Sequence, residues 1–408
     1  MAAAKDTNSP DGGGGGGWPL LPEELLTKVL NRLPLTRCLF QFRCVSKSWH
    51  RLLSDIPNFI SRRILFNEDD ENAPIMVARI ADKDKASVRY TALCPDTLRP
   101  VSTYSGASFS SPTIAGCRNG IFCIHDSPGF PCPTETLIAL WNPTTSESKF
   151  APSLPTPPRS NCATVGFGFD PQATDYKVLV IFTDSTREEN RGGSITAWVY
   201  SLRKNSWTQV ETHGINRPIY GLCSGFHHWH SSSSRSEKIY IWQDNIGGEA
   251  FKPADYYATV VSFDLSKQVF ETVYLRLPRP TYVTGSGHYI VRSMSVVEEC
   301  LIVVLSISKR LEEKVDYEVW MVLEPWLELE PGCHHWVKLL VVSVDRFSCL
   351  GIAGFWKHGK CFVVDSDGRL CLLDMETGCI IDQLEVEGKG FIKQEVMTYV
   401  PSMVSLSS

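Results

Sequence analysis

Leu137-Ile138-Ala139-Leu140-Trp141-Asn142-Pro143-Thr144-Thr145-Ser146-Glu147-Ser148-Lys149-Phe150 reads as an apolar strand, Leu137–Trp141, a polar turn, Asn142–Ser146, and a second strand that carries Phe150. The same texture returns along the chain. Trp198–Tyr200 is followed by Trp207, Val260–Phe263 by Phe270, Val319–Leu323 by Trp336, and Cys371–Leu373 by Ile380. With Trp141, Tyr200, Phe263, Leu323 and Leu373 as anchors, the interval is roughly 50–63 residues. Ahead of most anchors stands a further strand or strand pair: Val165–Phe169 with Tyr176–Ile181, Gly225–Trp229 with Lys238–Trp242, and Gly359–Val364. Four strands recurring at this period predict a large all-β, propeller-like domain of five to seven blades. Five blades are visible, and Val88–Leu93 before Pro95 begins a sixth. An irregular β-sandwich is the alternative.

Outward from this region, the β texture starts at about Ile64, and the residues before it read differently. Met1 to Gly17 ends in six consecutive glycines and cannot bury enough apolar surface to offset the entropy of ordering it, so a disordered tail is expected. Trp18 to Arg63 reads as three short helices. Pro22 suits a first helical turn, and Glu23 and Glu24 complement its positive end. Leu25, Leu26, Val29, Leu30 and Leu33 follow at helical spacing until Pro34 stops the run. Thr36 can cap a second helix carrying Leu39 and Phe42, and Ser46 a third carrying Trp49, Leu52 and Leu53. So small a unit with so much Leu, Phe and Trp needs a partner surface. It is also basic: Lys28, Arg32, Arg37, Arg43, Lys47, Arg51, Arg62 and Arg63 stand against Glu23, Glu24 and Asp55, in a chain whose net charge is −5. Such a block suits an acidic partner, because complementary charge speeds encounter. A helical cap whose leucines are core of the β domain is the plainer reading of the same residues.

Composition narrows the function classes. With 43% hydrophobic and 21% charged residues the chain is of ordinary globular type, and its small net charge gives no argument for nucleic acid or an anionic membrane. Apolar runs such as Leu301 to Leu305 are far too short to span a bilayer, and the opening residues have no apolar signal core. The 14 cysteines are scattered, with no C-x-x-C pair, which suits reduced and mostly buried thiols. A soluble protein of the cytoplasm or nucleus is expected.

No local constellation points to catalysis or to a cofactor. His227, His228 and His230 cluster, as do His334 and His335, but adjacent residues on a strand face opposite ways and do not converge on a metal. Asp365-Ser366-Asp367-Gly368 opens like a calcium loop but lacks the closing acid, and Asp-Gly between two apolar strands is a hairpin turn. Gly166-Phe167-Gly168 has no third glycine and sits in strand-like sequence, which argues against a dinucleotide site. Trp229, Trp242, Trp326 and Trp356 stand near turns, where each could anchor a partner or fill a blade core.

The run Leu21-Pro22-Glu23-Glu24-Leu25-Leu26-Thr27-Lys28-Val29-Leu30-Asn31-Arg32-Leu33-Pro34, followed by Phe42-Arg43-Cys44-Val45-Ser46-Lys47-Ser48-Trp49, closely resembles the F-box. Downstream, Trp141-Asn142-Pro143-Thr144, Gly166-Phe167-Gly168-Phe169-Asp170, Asp175-Tyr176-Lys177-Val178 and Ser402-Met403-Val404-Ser405-Leu406 resemble the F-box-associated domain of plant F-box proteins, kelch-like in architecture. The resemblance implies a chain divided at residues 1–17, 18–63 and 64–408: tail, F-box, and β domain for substrate recognition. It implies a non-enzymatic adaptor of a Skp–cullin–F-box ubiquitin ligase, without cofactor, metal, nucleic acid or membrane. Its F-box would dock on a Skp-type adaptor through Leu21, Pro22, Leu25, Val29, Leu30, Leu33, Pro34, Leu39, Phe42, Val45 and Trp49. Through that adaptor it would reach a cullin, while its β domain binds an unidentified protein substrate. The alternative from another class is a β-propeller enzyme or lectin with a helical leader.

Overall fold

In a computed structural model the described residues lie within 75–406, interrupted by connections of which the longest are 216–237, 245–256, 277–287 and 323–335. Among them are strands only, arranged as six antiparallel sheets that follow one another along the chain. The first holds β1 (Ile75–Asp82), β2 (Val88–Leu93) and β3 (Pro100–Ser105). The second is built from β4 (Pro112–Arg118), β5 (Ile121–Asp126), β7 (Ile138–Asn142) and β8 (Glu147–Phe150), with a short ladder of β6 (Glu135–Thr136) and β9 (Leu154–Pro155) beside it. The third contains β10 (Ser160–Asp170), β11 (Asp175–Asp184), β12 (Ile195–Ser201) and β13 (Ser206–Val210). The fourth shows β14 (Lys238–Asp244), β15 (Tyr257–Asp264) and β16 (Val269–Arg276). The fifth is β17 (His288–Val297), β18 (Cys300–Ser308), β19 (Lys314–Val322) and β20 (Trp336–Asp345). The sixth is β21 (Gly351–Trp356), β22 (Lys360–Val364), β23 (Leu370–Asp374) and β24 (Ile380–Gln383). A final strand, β25 (Phe391–Tyr399), returns to the first sheet and pairs with β1, giving the order β25-β1-β2-β3.

This is a propeller-like arrangement, and six sheets fall inside the five to seven blades expected. The sandwich alternative fails because, apart from the return of β25 to the first sheet, each sheet is a local meander and no ladder among the described residues joins one sheet to another. The recurring pattern in the sequence is the pairing of third and fourth strands. Tyr200 faces Trp207, Phe263 faces Phe270, Val322 faces Trp336 and Leu373 faces Ile380, while in the second sheet Ala139 faces Phe150. Ring contacts accompany the first two pairs, with centroids 5.4 Å and 4.6 Å apart. Leu323, expected to end a strand, and the strand expected at Gly225–Trp229 lie outside the described residues.

The strand turns share one construction. Asp170↔Asp175, Asn142↔Glu147, Ser201↔Ser206 and Asp264↔Val269 each close a hairpin in which the residue before the second strand takes a left-handed φ: Thr174, Ser146, Asn205 and Gln268. The side chain that opens the turn satisfies the backbone within it. Asp170 Oδ1 accepts from the N–H groups of Gln172 and Ala173, Asn142 Oδ1 from Thr144 and Thr145, and Asp264 Oδ1 from Ser266 and Lys267. These are Asx turns, the reason Asp and Asn recur at the ends of otherwise apolar strands. Asn119-Gly120, both at positive φ, form the two-residue turn between β4 and β5 that favours Asn-Gly. Asp365 and Arg369 bond each other's backbone across the β22–β23 hairpin, in agreement with the turn expected there.

Two apolar clusters knit neighbouring sheets. Ile121, Cys123, Ile138 and Leu140 of the second sheet pack with Val178, Val180, Phe182 and Tyr200 of the third. Leu93 and Leu98 of the first sheet pack with Phe362, Leu370 and Leu372 of the sixth and with Val396 of β25. The approach of the fourth sheet to the third is so close that a Cβ on Gly166 would stand 2.6 Å from Ile239 Cγ2, so the strand needs glycine there.

Candidate functional site

Every residue expected to meet the Skp-type adaptor, from Leu21, Pro22, Leu25, Val29, Leu30, Leu33 and Pro34 to Leu39, Phe42, Val45 and Trp49, lies outside the described residues. So do the histidines at 227, 228, 230, 334 and 335, and Trp229 and Trp326. Trp242 lies in β14 and Trp356 in β21. Gly166 and Gly168 stand in β10, paired with Leu179 and Lys177, in strand as expected.

What the structure does define is a difference between the two ends of the sheets. In an antiparallel meander the first and third connections leave from one end, and the second connection and the link to the next sheet leave from the other. Turns 119–120, 171–174, 143–146 and 202–205 fall at the first end by this rule, and turn 265–268 of the three-stranded fourth sheet joins them through its bonds to Lys177 and Asp170. At the second end the described residues include the start of β12 and the end of β13.

The short-turn end is tied shut by buried polar groups. Lys177 donates to Asp170 Oδ2 at 2.6 Å and to the Leu265 carbonyl at 2.8 Å, and Ser266 donates to Asp170 Oδ1 at 2.6 Å. The lysine and aspartate side chains are 8% and 2% exposed, so this network joins the third sheet to the fourth in a dry setting. Burial acts to raise the Asp170 pKa, but hydrogen bonds from Lys177, Ser266 and the Ala173 N–H, with the lysine charge, hold it below the ordinary value.

On the second sheet the tie is the segment 402–406. Asn142 Nδ2 donates to the carbonyls of Ser402 (3.0 Å) and Val404 (2.7 Å), and the Ser402 N–H donates to Thr144 Oγ1. Glu147 accepts from the Leu406 N–H at 2.6 Å, and the Leu406 side chain, 1% exposed, enters the cluster between the second and third sheets. Sequence reading had singled out these motifs without giving their side chains a role. The available signals were a lysine inside the apolar run of β11 and an asparagine opening a Pro-Thr turn.

The opposite end carries a recess. Where β12 starts and β13 ends, Ile195 and Thr196 with Glu211, Thr212 and His213 line a shallow recess. Among the described residues three further groups have displaced proton affinity. Burial and the Asp175 charge push Tyr200 up to about 12, burial pushes the Cys117 thiol up to about 12, and burial raises Cys123 further. Among the described residues no group of three His, Cys, Asp or Glu could hold a metal ion, and no helix is long and apolar enough to cross a membrane.

Residues 109–406 match the family described as the F-box associated beta propeller domain, and residues 18–61 match the F-box domain. An F-box protein of Arabidopsis thaliana is 28% identical over 195 residues, 46% of this chain and 50% of that protein. The F-box protein CPR1 of Arabidopsis thaliana is 24% identical over 389 residues, 88% of this chain and 82% of that protein. Among solved structures the chain is similar to the β-propeller domain of the trilobed protease from Pyrococcus furiosus, at 11% identity and a TM-score of 0.37 over 79% of this chain and 99% of that one. The fold assignment rests on the sheets and the family match, not on that likeness.

Proposed function

The chain belongs to the F-box associated beta propeller family, with an F-box ahead of the propeller, and from that premise we propose that it is the substrate-recognition subunit of a Skp–cullin–F-box ubiquitin-ligase complex. The observation that carries the reading is the tandem order of the two matches. An F-box supplies a docking helix set and a propeller supplies a variable rim, in one chain. Residues 18–63 bind a Skp-type adaptor and through it a cullin, and residues 64–408 hold a protein substrate. Leu25, Val29 and Leu33, one helical face, are the apolar anchors, joined by Leu21, Pro22, Leu30, Pro34, Leu39, Phe42, Val45 and Trp49. The chain works without a catalytic residue: it raises the effective concentration of a substrate lysine near activated ubiquitin. The cytoplasm and the nucleus are where such a complex would act.

The test is the double variant Leu21→Ala with Pro22→Ala in the full chain. Losing this apolar contact and the pre-set helix start removes about 2–4 kcal/mol, weakening capture of the Skp-type adaptor roughly thirty- to thousandfold. The melting temperature of the β domain stays where it was, because that domain has its own core. A wild-type chain that recovers neither Skp nor cullin, or a double variant that recovers Skp undiminished, overturns the reading. A β domain destabilised with no partner lost identifies the helices as a cap.

A further inference from the structure

Ser405 sits in the middle of the tie that closes the second sheet, yet is itself exposed. Its Oγ donates toward both carboxylate oxygens of Glu147, at 3.2 and 3.0 Å. The same carboxylate takes the Leu406 N–H at 2.6 Å, and Leu406 is buried between two sheets. One carboxylate therefore holds the hydroxyl, the next backbone amide and, through it, a buried leucine. We propose that Ser405 is a phosphorylation site and that its modification releases the segment 402–406 from the propeller.

The chemistry follows from the geometry. A protein kinase would direct Ser405 Oγ onto the terminal phosphorus of a nucleoside triphosphate. The new O–P bond forms as the bond to the bridging oxygen breaks, the nucleoside diphosphate leaves, and the hydroxyl proton passes to the kinase base. The product replaces a hydrogen-bond donor by a group of about −1.5 to −2 charge at neutral pH. That charge would lie against the carboxylate that the hydroxyl now satisfies. Lys149 lies two residues along β8 from Glu147, on the same face, and its charge would offset part of the repulsion. A kinase needs the residues around its serine extended and free, whereas Leu406 is buried and Asn142 grips the carbonyls of Ser402 and Val404. Modification and closure exclude each other, so the phosphate traps the released segment by population shift. The inference does not depend on the adaptor reading.

The test uses the full chain with phosphoserine installed at position 405 by codon expansion. Hydrogen-exchange protection of the Leu406 amide should fall at least tenfold, and the melting temperature should drop by about 2–6 °C. Ser405→Ala, which keeps the Leu406–Glu147 bond, should change either value little. Glu147→Lys should reverse the sign: unmodified it loses protection at Leu406, and with phosphoserine at 405 it regains it. Unchanged protection and melting on phosphorylation overturn the proposal, as do strictly additive effects of the lysine and the phosphate. So does intact-chain mass spectrometry that finds no phosphate on Ser405 in protein isolated from its own cells with phosphatases inhibited.

Discussion

Lys177 carries the most weight of any side chain described. A lysine two residues past a hairpin and inside an apolar strand is costly to bury, and it is tolerated because Asp170 Oδ2 and the Leu265 carbonyl receive its protons. Replacing Lys177 by Met leaves a buried carboxylate short of its counter-ion, a loss of about 3 kcal/mol, at the low end for broken buried pairs because Ser266 and two backbone N–H groups still donate to Asp170. Urea unfolding at neutral pH measures it. The pH dependence has a definite sign. The folded pKa of Asp170 is depressed, so its contribution is complete above the ordinary value of 3.8 and is lost as pH falls below it through the folded pKa. The gap between wild type and Lys177→Met should therefore narrow below about pH 4, and a gap that widens there would show that the pair is not the source. The sequence displayed Asp170, Asp175, Lys177 and Asn142 as motif residues, but a motif does not say what its side chains touch.

At the scale of the element, the sequence was most legible where a strand has one wet face. The outer strands β8 and β13 alternate or expose much of their length, and their aromatic partners on the third strands gave the period. The inner strands lack this alternation: β7, buried on both faces, is legible from its apolar run and the polar turn after it, whereas β5, equally buried, carries no such flanking signal. The closing strand illustrates the limit. The weak alternation of Val396–Leu406 predicts that this segment pairs with Ile75–Ile80 or Val88–Leu93; Val396–Tyr399 do pair with Ile75–Ala78, but the strand begins earlier, at Phe391. Residues 402–406 leave the ladder and bind the second sheet, since their carbonyls are taken by Asn142. Two truncating changes separate these roles. A chain stopped after Lys393 loses most of β25, leaves the β1 edge unpaired and should partition into the insoluble fraction. Leu406→Ala keeps the strand and empties a buried site, costing about 2–4 kcal/mol in denaturant unfolding while the protein stays soluble. A melting temperature untouched by the truncation would refute closure through β25.

For the whole molecule, the described polar ties between sheets lie at the end of the short turns. Loops of variable length on a rigid scaffold are where recognition diversifies. Exchanging connection 184–193, or the serine run 231–234 with its flanks, should change which proteins are recovered from cells while leaving Skp recovery as it was. An identical set of proteins after both exchanges would place recognition elsewhere.

The residue order by itself determined the β class, the blade period and the approximate blade number. Those depend on local alternation, turn chemistry and spacing, which act between near neighbours in the chain. Only the tertiary structure decided where the closing strand begins and ends, that Asp170 and Lys177 lock the third sheet to the fourth, and that Ser402, Val404 and Leu406 reach back to Asn142 and Glu147. Those contacts join residues far apart in sequence. Their stability comes from removing charge and apolar surface from water at a junction between sheets, an environment that exists only once the sheets have assembled.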